Sequence, residues 1–353
     1  MAILGANAVS YADLAKRMDP DNKISQIVNI LSQTNELMDD MMVMEGNLPT
    51  GHQTTIRTGL PSATWRLLNQ GVTQTKSTTA QVIDTAGMLE TFSDIDVDLA
   101  KINGNTAEFR LSEDVAFLEG MTQQMASAYV YSNALTTPQQ IMGIAPRFST
   151  VNPQNAQTAN TVIDAGGTGS TNTSMYVVVW GANTVHAFVP KGSTAGLIQE
   201  DLGQETLYTA VGSMGSQTML RVFRTRFQWK TGLTVRDWRY IVRIANIDVT
   251  QLLTGNAPNL INALHRALGR VPTLPVGTGA VQKTDAPDGG QMSMGRTAIY
   301  CNRVLRTYLN IQATNKANVL LNLDQFNGKV VTTFLGVPVR TVDAILNTEA
   351  RVV

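Results

Sequence analysis

The sequence predicts an α+β fold organised around one long helix, with an extended segment ahead of it that has little means of holding itself in place. Three observations carry this prediction. Residues 112–134 place apolar side chains at helical spacing over a length of roughly 30 Å or more. Residues 223–230 and 236–244 alternate apolar and polar side chains, as half-buried strands do. Residues 50–84 are rich in Thr and Gln and poor in charge, with no alternation that would give them a continuous buried face.

The elements follow in chain order. Ser10 and Asp13 have capping-box spacing before a short helix that Pro20 ends. Asp19 and Pro20 then start a second helix, with Ile24, Ile27, Val28, Leu31, Met38, Met41 and Met42 at helical spacing and Gly46 to close it. The stripe of Met38, Met41 and Met42 suits a core and suits an adaptable interface with another chain.

Across residues 50–84 the large apolar side chains are few for the backbone entropy that ordering the segment would cost. The segment reads as a long hairpin reaching outward, or else as a flexible loop. In the first reading Trp65 and Arg66 are the anchors, with Leu67 beside them and Arg57 and Lys76 as flanking cations. Asp94, Asp96 and Asp98 resemble the start of a calcium loop. Leu99 and Asn105 stand where that loop needs Gly and Glu, so Ile95, Val97 and Leu99 are expected in a strand.

Ser112 is the expected cap of the long helix, and Pro138 stops any continuation. Two Pro-, Asn- and Gly-rich stretches follow within residues 136–173. Residues 175–180 read as a buried strand and residues 186–190 as another, with a helix expected after Pro190 to about Leu202. Lys230–Thr234, which includes Gly232, is the expected hairpin connection between strands 223–230 and 236–244. Pro258 opens a helix bearing Leu260, Ile261, Leu264 and Leu268. Ala298–Cys301 is a short strand and Asn302 caps the next helix. Asn327-Gly328 marks a hairpin turn, and residues 330–345 end the fold as strands.

Composition narrows the function. Hydrophobic residues make up 43% of the chain and charged residues 15%, against about 25% charged in an average globular protein. A surface sparing in charge is expected where much of it meets other subunits. Lys and Arg number 27, as do Asp and Glu. That balance argues against a protein that wraps nucleic acid, though not against one that encloses it. The single cysteine, Cys301, excludes an intrachain disulfide and a cysteine-built zinc site, and its apolar strand makes it a core residue. No signal peptide and no membrane-spanning segment is expected, hence no membrane partner.

Reactive groups do not converge. His52, His186 and His265 lie in unrelated contexts without a metalloprotease pattern. Gly328-Lys329 continues into Val330, so it is no phosphate loop, and Gly192–Gly196 has Thr194 at the centre where a nucleophile elbow needs Ser. The Gly166–Gly169 cluster lacks a strand-turn-helix context. No catalytic residue, cofactor site or metal ligand is predicted, and no cofactor.

Three stretches in succession carry a resemblance. They are WKTGLTVRDWRYIVRIANID at 229–248, AIYCNRVLRTYLNIQA at 298–313 and LGVPVRTVDAILNTEA at 335–350; IMGIAPRF at 141–148 fits with them. Together they resemble the major capsid proteins of tailed bacteriophages, the family with the Hong Kong 97 (HK97-like) capsid fold. The resemblance runs from about residue 85 onward and rests on the order and spacing of these stretches.

The resemblance implies an architecture: residues 1–49 an N-terminal arm, 50–90 the extended loop, 91–255 and 326–353 a peripheral domain with its spine helix at 112–134, and 256–325 mainly an axial domain. The long peripheral strands would span 219–247. It also implies a structural, non-enzymatic protein that self-assembles into hexamers and pentamers of an icosahedral shell around double-stranded DNA, without reading its sequence. Arg57, Trp65, Arg66, Leu67, Lys76, Met38, Met41, Met42, Arg224, Arg226 and Lys230 are the expected contacts between subunits. The charged strand face with Arg224, Arg226, Lys230, Arg239 and Arg243 would meet acidic partners or face the lumen, or simply be solvated.

Implied partners are a portal protein, a decoration protein in some shells, and a scaffolding protein, since the residues ahead of the loop are too few for a built-in scaffold. The chain would be made in the bacterial cytoplasm and end in the virion. Lys76 has no activating neighbour, so no covalent crosslinks between subunits are expected. The rival readings are an encapsulin-like nanocompartment shell and a soluble enzyme whose site is not recognisable.

Overall fold

The structure, a computed structural model, describes residues 32–101, 106–210, 217–254, 258–272, 296–314, 321–326 and 329–353. The described chain folds as two units. The smaller holds Met88–Met125 and Gly196–Lys230; the larger holds Thr34–Gly87, Ala126–Ala195 and Thr231–Val353.

The larger unit begins with α1 (Leu37–Asp40) and β1 (Val43–Glu45). The expected helix from Asp19 to Gly46 is thus a single turn within its described part; its earlier residues lie outside the described ones. Tertiary partners override helical periodicity here. The Glu36 amide donates to the Thr341 carbonyl and the Asp343 amide to that of Thr34. The Asp40 carboxylate accepts from Tyr300 and Arg340, both at 3.1 Å. β1 then runs parallel to β7 (Val185–Val189). Met38, Met41 and Met42 are left half-buried in their own chain.

β2 (Gly51–Gly59) and β3 (Thr78–Thr85) form the extended hairpin, paired antiparallel from Gly51 opposite Thr85 to Gly59 opposite Thr78.

In the smaller unit come β4 (Gly87–Asp96), α2 (Val97–Lys101) and the first part of α3 (Thr106–Tyr131). The strand expected over residues 94–99 therefore turns into helix after Asp96, whose carboxylate accepts from the Asp98 amide at 2.8 Å and so starts a turn. α3 begins ahead of its expected cap. Ser112 lies inside it and donates back to the Phe109 carbonyl at 2.8 Å. Ile95, Leu99, Ala100 and Phe109 form this unit's core, with Phe223 packed against them.

In the larger unit follow α4 (Ile144–Arg147), β5 (Val162–Asp164), β6 (Asn172–Trp180) and β7. Every residue of β6 is buried. It pairs antiparallel with β11 (Arg296–Cys301) and with β10 (Ile241–Asp248), while β5 lies parallel to β10. Such a strand, covered on both faces, reads as the apolar run seen in the sequence.

β8 (Leu197–Ala210) and β9 (Gln217–Val235) correct two expectations. The segment after Pro190 is a strand and not a helix, and Lys230–Thr234 lies inside a continuous strand and is no hairpin connection. β8 pairs antiparallel with β9 from Leu197 opposite Trp229 to Ala210 opposite Gln217, so the long ribbon is built of residues 197–210 and 217–235. Gly232 signals a close approach instead of a turn: a Cβ there would stand 2.3 Å from the Phe188 ring. The remaining elements of the larger unit are α5 (Val249–Thr254), α6 (Leu260–Arg270), α7 (Arg303–Thr314), β12 (Leu321–Phe326), β13 (Lys329–Phe334) and β14 (Val337–Thr341). Asn259 and Asn302 cap α6 and α7, accepting from the Asn262 and Leu305 amides at 3.1 and 2.8 Å. Their apolar faces, with Leu260, Leu264, Leu305 and Leu309, close the core over β6, β10 and β11. Asn327-Gly328 lie outside the described residues; β12 and β13 pair on either side of them.

Candidate assembly surface

The hairpin's far end, residues 60–77, is exposed throughout. Its chain offers no cover to Leu60, Trp65, Leu67, Leu68 or Val72, with Trp65 105% and Leu68 92% exposed. Arg57, Arg66 and Lys76 are exposed beside them. An apolar group of this size on a two-stranded ribbon is stable in water only poorly, and marks a surface made to be covered. The few apolar residues counted in the sequence are thus the ones facing out.

The hairpin is attached at its root. Arg147, on α4, donates to Asp84 of β3 at 2.8 Å and to the Leu233 carbonyl at 3.0 Å. His52 and Asp84 stand opposite each other on β2 and β3, both buried. The His52 ring meets that of His186 edge-on at 5.3 Å and lies 5.7 Å from Phe188. The sequence set these two histidines in unrelated contexts; packing of β2 against β7 brings their rings together.

The strand face with Arg224 and Arg226 is neutralised within its own unit. Arg224 donates to both Asp94 oxygens at 2.7 and 3.0 Å and to Glu205 at 3.1 Å, with its guanidinium 4.9 Å from the Phe92 ring centre. Arg226 donates to Glu90 at 2.9 Å and to Glu200 at 3.4 Å. Hydrogen bonds from Arg226 and Gln228 hold the Glu90 carboxyl below its usual range. Lys230 is half-buried at the end of this row. Part of the signal for these partners was in the sequence, where the spacing of Glu90 and Asp94 suits one face of a strand; Glu200 and Glu205 become partners only once β8 pairs with β9.

Arg243 departs further from a solvated face. It is 4% exposed and donates to Glu349 at 2.8 Å, to Ser174 at 3.1 Å and to the Phe148 carbonyl at 2.9 Å. Tyr131 and Ser174 also donate to Glu349. Cys301 is fully buried, and burial pushes its thiol up to about 12. Among the described residues no group of three or more His, Cys, Asp or Glu side chains is placed to hold a metal, and no helix is long and apolar enough to cross a membrane.

Against this geometry stand the comparisons. A family model described as major capsid protein GP7 matches residues 19–353. Among solved structures, a chain from the near-atomic structure of bacteriophage Epsilon15 is 33% identical, with a TM-score of 0.77 over 100% of this chain and 99% of that one. The capsid of the native GTA particle matches at 10% identity and TM-score 0.42, over 68% of this chain and 99% of that one. The bacteriophage JBD30 capsid matches at 11% and 0.40, over 89% and 92%. No curated protein matches the chain.

Proposed function

We propose a mechanism of shell building from one premise: this chain belongs to the family of major capsid protein GP7. It is a major capsid protein of a tailed bacteriophage, with the HK97-like fold, and a component of the virion. Its task is to cover a surface with many copies of itself, and the hairpin is the part that reaches for the next copy.

The single observation that carries this mechanism is the exposed apolar group Leu60, Trp65, Leu67, Leu68 and Val72. Buried on a neighbour, each large side chain contributes about 1.5–3 kcal/mol. Trp65 and Arg66 act as the anchors, with Arg57 and Lys76 at the rim. Met38, Met41 and Met42, half-exposed, add an adaptable contact. Arg224, Arg226 and Lys230 contribute shape more than charge, since Arg224 and Arg226 hold carboxylates of their own chain.

Copies join as hexamers and pentamers, with residues 1–49 as arm, 50–90 as loop, 91–255 and 326–353 as peripheral domain and 256–325 as axial domain. Rigid sheets form the wall while loop and arm adjust to curvature. The shell encloses double-stranded DNA through shape and weak attraction, in keeping with balanced charge. A separate scaffolding protein guides assembly in the host cytoplasm, and a portal protein takes one vertex. The role is structural throughout, with no catalysis.

The test is a triple substitution, Trp65→Ala with Leu67→Ala and Leu68→Ala. Expected are subunits with unchanged circular dichroism that sediment as small species under conditions where the unaltered chain forms closed shells. Shells of normal size and yield from the variant would refute this reading of the hairpin as a strap over the neighbouring copy.

A further inference from the structure

The hairpin root holds a concentration of buried polar atoms that nothing in the mechanism above uses. Among the described residues no well-aligned hydrogen bond reaches either ring nitrogen of His52, either ring nitrogen of His186, Asp84 Oδ2, Thr234 Oγ1, or the Nε atoms of Arg147 and Arg236; only the Gly181 carbonyl stands near the His186 ring as a weak acceptor. They come from five places in the chain. His52 is on β2, Asp84 opposite it on β3, His186 on β7, Thr234 opposite it on β9, and Arg147 on α4, with Arg236 just past β9.

Beside the β2–β3 ladder and the Lys191 amide bond to the Leu48 carbonyl, the side chains closing the root do so by ring contacts and by the bridge from Arg147 to Asp84. Each unpartnered polar atom gains a hydrogen bond from water if the root opens. Such a seam is built to part. Charge decides when. The Arg236 guanidinium acts on both imidazoles, and the carboxylate beside His52, Asp84, is already bridged by Arg147. A proton added to either ring meets repulsion from Arg236, and the Gly181 carbonyl near His186 offsets it only in part.

We propose that His52 and His186 form a proton-gated latch at the hairpin root, closed while both rings are neutral and released when either is protonated. Burial pushes His186 down to about 4, aided by His52 and Arg236 and opposed by the Gly181 carbonyl. Burial and Arg236 push His52 down too, against Asp84. The closed state thus binds protons less readily than the open one. Closure keeps full strength above the ordinary histidine value of 6.5 and weakens as pH falls from there toward about 4. For His186 alone that span corresponds to a shift in the closed-to-open ratio of about 300-fold. The latch is a property of one chain and rests on the strap reading only for what it does inside a shell.

The experiment is peptide-resolved hydrogen exchange on the full chain from pH 7.5 to 4.5, corrected for intrinsic rates, together with C2–H exchange of the histidines. Expected is a rise in exchange over 51–59 and 78–85, on the order of 10²-fold, with β6 protected throughout and His186 titrating far below 6.5. His186→Phe, which keeps an aromatic ring and removes the proton, should blunt the rise, and the double variant with His52→Phe should abolish it. If the variants do not fold, C2–H exchange in the unaltered chain decides alone. His186 titrating at or above 6.5, root protection unchanged to pH 4.5, or an acid response surviving in the double variant would each overturn the latch. Loss of shells in the Trp65 variant bears on the strap and leaves this outcome untouched.

Discussion

Arg243 carries its guanidinium into the core of the larger unit, where Glu349, Ser174 and the Phe148 carbonyl take its hydrogen bonds. Removing one member of such a buried pair leaves the other charged and unsolvated, at a cost of about 3–5 kcal/mol. Glu349→Ala should lower the urea midpoint of the unassembled chain by that order, and Arg243→Met combined with Glu349→Leu should recover most of it. A single variant as stable as the parent would mean that Arg243 is satisfied elsewhere. Gly232→Ala makes a second case. Its methyl would meet the Phe188 ring at 2.3 Å, so a loss of about 1–3 kcal/mol is expected in the same assay. Neither residue is legible from its neighbours. Arg243 sits in an alternating strand and reads as solvated until Glu349, 106 residues away, is placed beside it. Gly232 reads as a turn until Phe188 is seen beneath it.

At the scale of elements, local pattern served where local forces decide. The apolar run at 175–180 is a fully buried strand, Asn302 caps its helix, and the Thr-rich segment is a ribbon whose tip stays in water. It failed where a distant strand competes. Leu197–Leu202 has the composition of a helix start, yet β9 offers it a full-length partner and wins. The same pairing sets Arg224 and Arg226 between acidic residues of β4 and β8. Arg224→Ala should lower the melting temperature modestly, corresponding to about 1 kcal/mol after solvent screening, and less in high salt. It should lower shell yield only slightly, since the side chain contributes shape and not free charge to the contact between subunits. Complete loss of shells with unchanged melting would show that the cation meets another subunit instead.

For the molecule as a whole, few charges, balanced sign and an uncovered apolar tip agree with a chain whose last stage of burial happens outside itself. Family membership could be suspected from the order of three short stretches, because order and spacing survive when no single motif does. The extent of each unit could not, because both are assembled from segments far apart in the chain.

Asp40 and Arg340 stand 300 residues apart and meet in two hydrogen bonds, with Tyr300 beside them. A ribosome delivers about 5–20 residues each second, so roughly a quarter to one minute separates the appearance of the two. During that interval β1 and the hairpin that follows have no finished sheet to hang from. The contact that seats Asp40 thus waits for Arg340 to be made, and the start of the larger unit settles only after most of the rest has appeared.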